Sequence, residues 1–200
     1  QRVASQGVKY IEFYWNWTGL KHFMSYDEAR QAINEGIRQG LQRYGVVARS
    51  IPSIDREDTP EAAVELVEEM IRHPDQYTIG IGIDYLETNH EPENFWKAFK
   101  MAKDAGFKIT IHAGEFGEHW RNVETAMKLL GADRIDHGYT IIDSPELVEE
   151  AKTANMHFAV VPTNSYYLRT LSDEEWAIKH PVRKMVELGL KVFPNSDDPT

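Results

Sequence analysis

Imidazoles and carboxylates stand where apolar runs stop. Ile109-Thr110-Ile111 leads into His112-Ala113-Gly114-Glu115, Arg134-Ile135 into Asp136-His137-Gly138, and Val192-Phe193-Pro194-Asn195 into Ser196-Asp197-Asp198-Pro199. Ile79 to Ile83 leads into Asp84 in the same way. Taken singly, each has a plain explanation: a strand-end histidine is usually a hydrogen-bonded structural residue, and Glu115 or the Asp197-Asp198 pair could cap a helix. Capping does not explain why imidazoles accompany carboxylates at successive run ends. Titratable groups converging on one rim are what metal-assisted hydrolysis needs: donors to hold a cation, and a proton donor beside it.

Composition narrows the chemistry. The formal charge is −10 and the apolar fraction 42%, with no stretch of clustered Lys and Arg, which argues against a nucleic-acid partner and leaves small molecules open. No apolar run reaches the roughly 18 residues of a membrane span, and Gln1 to Gly7 has no signal-peptide pattern, so the reading is cytoplasmic. There is no cysteine, so any zinc must be held by His and carboxylate.

The elements that would position these groups alternate. Seven buried-strand candidates are Val8–Trp15, Val46–Ile51, Thr78–Tyr85, Phe107–His112, Arg134–His137, His157–Val161 and Leu190–Asn195. Between them lie helices with recognisable starts. Ser25 and Glu28 form a capping box before a stripe of Ala29, Ile33, Ile37 and Leu41 that ends at Gly45. Thr59-Pro60 and Ser144-Pro145 each place a cap before a first-turn proline. Further helices follow Pro92, span His119 to Leu130, and follow His180-Pro181. This alternation fits a parallel α/β sheet in one domain over residues 1–200, as either an open doubly wound sheet or a closed barrel. The polar run ends favour the barrel, whose chemistry sits where strands end.

The His-Ala-Gly-Glu, His-Gly and Ser-Asp-Asp-Pro motifs, in this order and from about Tyr10 to Pro199, resemble the adenosine deaminase family of metal-dependent barrel hydrolases. The resemblance implies a TIM-type (β/α)8 barrel and a Zn2+ cofactor, with His112 and Asp197 as ligands. It implies that His137 hydrogen-bonds the attacking water, which zinc activates by lowering its pKa to roughly 7, and that Asp197 counts among the catalytic residues as well as the ligands. Glu115 corresponds to the carboxyl that protonates the ring nitrogen beside the attacked carbon, and is expected to be desolvated. Asp198 corresponds to the carboxyl that contacts the purine's imidazole ring, and Gly114 belongs to the substrate-binding set. The implied reaction is hydrolysis of a purine nucleoside, adenosine or deoxyadenosine, to an inosine-type product and ammonia. Adenine or a modified aminopurine is the alternative, and an inactive nucleoside- or protein-binding relative a third reading. His22, His73, His90, His119, His157 and His180 receive no role, and Asp84 and Glu12 are weaker candidates.

The sequence also departs from that family. Two more zinc ligands are expected from a His-x-His pair on a first strand, yet no His-x-His occurs here, and Val8–Trp15 resembles the family's second strand. The barrel is therefore expected to be incomplete over residues 1–200. The missing strand would come from upstream sequence or from another chain, and these residues alone would bind metal poorly and be inactive. After Gly82-Ile83-Asp84, where nucleoside enzymes of the family usually place a glycine, the sequence reads Tyr85-Leu86-Glu87-Thr88.

Overall fold

The computed structural model describes residues 2–163 and 165–197. The chain divides into two compact units, the first from residues 1–85 and 97–108, the second from 86–96 and 109–200.

In the first unit a short helix α1 (Arg2–Ser5) precedes β1 (Tyr10–Trp15), α2 (Tyr26–Tyr44), β2 (Val47–Asp55), α3 (Pro60–Arg72) and β3 (Gly80–Asp84), and α4 (Trp96–Asp104) contributes from Lys97 onward. The strands run parallel in chain order, with Tyr10 opposite Val47 and Ser53 opposite Gly82. Parallel neighbours need a crossover, and the helices supply it. The capping box predicted at Ser25 and Glu28 is present, and Gly45 closes α2 in the left-handed conformation. Thr59 caps α3, whose Ala63, Leu66, Val67 and Met70 are buried.

Three expectations for this unit are corrected. Along the α2 stripe Ala29 and Ile37 are buried, but Leu41 is exposed. A spacing of four advances about 40° beyond a full turn at each step, so three steps from Ala29 carry Leu41 about 120° round the helix. Gly36 and Gly40 add no side chain, and an apolar cleft lies open among Ile33, Ile37, Ile11 and Phe13. Strand β2 does not stop at Ile51 but continues through Pro52 to Asp55, with Ser50 to Ile54 all buried. Strand β3 ends at Asp84 because Tyr85 takes φ 68°, which no strand accommodates.

The second unit contains β4 (Lys108–Ala113, from Ile109), α5 (Arg121–Lys128), β5 (Arg134–His137), α6 (Pro145–Thr153), β6 (His157–Val160), α7 (Ser165–Thr170), α8 (Asp173–Lys179), α9 (Pro181–Glu187) and β7 (Lys191–Pro194). These strands are again parallel and adjacent in chain order. Ser144 caps α6 as expected. Helices α7 and α8 were not anticipated, although Ser172 and Glu175 form a second capping box at the start of α8. Among the described residues no helix is long and apolar enough to cross a membrane.

Candidate active site

Register puts the chemistry in place. Strands β4 and β5 pair so that His112 stands opposite Asp136 and Ala113 opposite His137. Side chains alternate along a strand, so this register sets His112 on one face with Asp136, and both strands end one residue further on. The chain turns sharply here. His137 itself has φ 67° and Gly138 φ 72°, while Gly114 has φ 68°. A non-glycine residue held in the left-handed region costs of order 1–3 kcal/mol and persists where surrounding structure enforces it. Glycine is required at position 114 on a second ground: a Cβ there would stand 2.5 Å from the Thr140 hydroxyl and 2.9 Å from Val123.

The result is a buried cluster. Among the described residues, ligand atoms of His112, Glu115 and His137 all lie within 4.8 Å of one another. Glu115 Oε2 is 3.4 Å from His137 Nε2 and 4.0 Å from His112 Nδ1. The two imidazoles meet edge to face with centroids 4.7 Å apart. Glu115 is 8% exposed and His137 1%, so the desolvation expected for Glu115 is present.

Neighbouring groups fix the rings. Tyr139 is fully buried, its hydroxyl donates to the Val161 carbonyl at 2.9 Å, and it accepts the Val161 N–H at 2.9 Å. His137 Nδ1 lies 3.4 Å from the same hydroxyl. A hydroxyl has one proton, and diverting it from Val161 would orphan a buried carbonyl at about 1–3 kcal/mol. By that reasoning Tyr139 accepts from His137 Nδ1, and Nε2 is the ring nitrogen that faces Glu115. Burial pushes the Tyr139 phenol well above its usual range, with the bond to Val161 opposing, so the proton stays on. Behind His112, Asp136 Oδ2 lies 3.9 Å from its Nε2. Asp136 in turn accepts from Arg134 Nε at 3.0 Å and from the Thr110 hydroxyl.

Asp197 is placed differently. It follows β7, is exposed, has φ 60°, and its backbone N–H donates to Asn195 Oδ1 at 2.9 Å; it is not a member of the buried trio. Its charge adds, as the smallest contribution, to the upward push on Tyr139. Asp198 lies outside the described residues. Gly114 is buried, and its N–H donates to Glu87 Oε1 at 2.8 Å. His180, given no role from sequence, caps α9 by accepting the Val182 N–H and packs against Tyr139 and Tyr167.

The donor set fits zinc. Two imidazoles and a carboxylate, drawn close in a cysteine-free and largely dry setting, are the nitrogen and oxygen donors that zinc takes. Three supporting residues received no role from sequence: Glu87, Asp136 and Tyr139. Asp136 had a legible signal, a carboxylate at a run end directly before His137. Glu87 and Tyr139 had none, because their partners lie 27 and 22 residues away in sequence.

The adenosine deaminase family profile matches residues 1–200. The chain belongs to the adenosine deaminase family. Among solved structures, a zinc-bound amidohydrolase from Burkholderia ambifaria superposes with a TM-score of 0.96 at 52% identity, covering 98% of this chain and 54% of that one. Among curated relatives, an adenine deaminase of Marinomonas sp. is 32% identical over 100% of this chain and 58% of its own length. An adenosine deaminase of Clostridium botulinum is 31% identical over 99% of this chain and 58% of its own length. The chain thus spans somewhat more than half the length of the family members it matches. Among the described residues the parallel strands and intervening helices of each unit follow the TIM-type barrel pattern of the deaminases, in agreement with the fold read from sequence.

Proposed function

We propose that the protein removes the exocyclic amino group of a purine hydrolytically, releasing ammonia, with adenosine or deoxyadenosine as substrate. The observation that carries this reading is the buried convergence of His112, Glu115 and His137 at the ends of two adjacent parallel strands. Family membership supports it.

Zinc fits this site, and when bound it would lower the pKa of water to roughly 7 and so supply a nucleophile at neutral pH. His112 and Asp197 are the proposed ligands. The residues of this chain then divide the proton work. Glu115, whose carboxyl is buried beside two imidazoles, delivers a proton to the ring nitrogen next to the carbon that loses its amino group. That protonation breaks the local aromaticity and makes the carbon electrophilic. His137 offers the Nε2 lone pair to the attacking water and steadies the charge that develops. Asp198 orients the purine. Gly114 joins the substrate-binding set through its backbone, since a side chain there is sterically forbidden.

Free adenine is the second substrate reading, favoured by the adenine deaminase name of the Marinomonas relative. The test is ammonia release from adenosine, deoxyadenosine and adenine by the protein purified as the cell makes it and supplemented with zinc. Release from none of the three would end the proposal. Glu115→Gln is expected to lower kcat by about 10²- to 10⁴-fold with the zinc content intact. Loss of zinc in that variant would instead make Glu115 a ligand, the other allocation that its closeness to both imidazoles allows.

A further inference from the structure

Glu87 has no assigned part in the chemistry, yet it is 2% exposed and its carboxylate is directed at the catalytic turn. Oε1 accepts the Gly114 N–H at 2.8 Å and the Asn122 side-chain amide at 2.9 Å, while Oε2 accepts the Glu115 N–H at 2.9 Å. Burying a carboxylate is costly, and the cost is met only when its oxygens take several donors. Here two of those donors are consecutive backbone N–H groups, each directed to its own oxygen. They point the same way only because Gly114 adopts φ 68°. Successive N–H groups in such a turn form a concave anion site. In this protein the anion is a side chain of the protein itself.

We propose that Glu87 is a positioning residue: its two carboxylate oxygens clamp the Gly114 and Glu115 amides and so aim the Glu115 carboxyl at His137. Fixing the Glu115 N–H fixes the backbone from which its side chain departs, and that side chain reaches His137 Nε2 at 3.4 Å. The clamp requires two acceptor oxygens. A glutamine matches the shape but presents NH2 to one of the two amides, so donor faces donor. The clamp also explains how a turn with little freedom to choose its own conformation is set before substrate arrives, since a displacement of about 1 Å at a reacting group can cost 10²-fold in rate. The catalytic consequence rests on the deaminase reading above; the clamp itself does not.

Two variants and two readouts test it. Glu87→Gln is expected to lower kcat about 10- to 100-fold with little change in KM. In amide NMR spectra the Gly114 and Glu115 protons, shifted downfield by the carboxylate, should move upfield in this variant. Glu87→Ala opens a site for a small anion. Titrating it with formate should return both amide protons downfield saturably and restore part of kcat, whereas formamide, equal in shape but neutral, should do neither. Wild-type kcat and unmoved Gly114 and Glu115 amide protons in Glu87→Gln would overturn the proposal, whatever the state of the alanine variant. A wild-type protein with the downfield amides and no deaminase activity would leave the clamp standing and remove the functional reading instead.

Discussion

Asp84 and Glu115 follow parallel strands in the two units, and their surroundings give them opposite characters. Asp84, at the end of β3, accepts the Asn16 amide at 2.8 Å, and Asp55 on the adjacent strand accepts the Glu57 N–H at 2.9 Å. Asp84 is thus met by a neutral donor, the Asn16 amide just beyond β1. Glu115 faces two imidazoles. A carboxyl beside amides is a hydrogen-bond acceptor, whereas a carboxyl beside imidazoles can exchange a proton or share a cation. Position at a strand end does not make a residue chemical; the partner it meets there does.

The contrast between the units can be pressed by substitution. The largest stability effect is expected at Gly114→Ala, where a left-handed backbone and two close contacts act together: about 4 kcal/mol lost in urea unfolding. Gly82→Ala in the first unit meets the Tyr14 ring without a positive φ, so only overpacking applies and the loss should be about half as large. Equal losses would remove the claim that the left-handed backbone at Gly114 adds to the cost of overpacking.

A smaller effect separates the acids by pH. Burial pushes the Asp84 carboxyl up to about 6, against the opposing pull of its bond from Asn16. With the folded value above the unfolded one, its neutral form is favoured in the native state. The stability it contributes is full below about pH 4 and is lost as pH rises through about 6, by roughly 3 kcal/mol. Asp84→Asn keeps the acceptor for Asn16 and removes the titration. The difference in unfolding free energy between wild type and this variant should therefore change over that window and be flat from pH 7 to 8. A flat difference throughout would show that Asp84 is solvated like an ordinary surface acid.

The smallest expected change calibrates the others. Ser25→Ala deletes the capping box of α2, which satisfies orphan amides far from any chemistry, and should cost about 1 kcal/mol in thermal or urea unfolding with activity unchanged. An activity loss on the scale of Glu115→Gln would tie this helix start to the site.

Sequence alone determined much of this protein. Capping residues at Ser25, Thr59 and Ser144 placed three helix starts, and apolar runs placed seven strands, because both signals depend on a few neighbouring residues. His112, Glu115 and His137 were legible as a group, since each stands where a buried run must meet polar surroundings. Tertiary structure decided what no local pattern could carry. It set how far Leu41 drifts from the buried face of α2, that β2 runs on through Pro52, and which acid supports the site from a distance. Glu87 and Tyr139 reach partners more than twenty residues away, and a contact of that kind exists only once the strands are in register. The bond that holds the Tyr139 hydroxyl beside His137 likewise depends on a carbonyl that folding alone brings near.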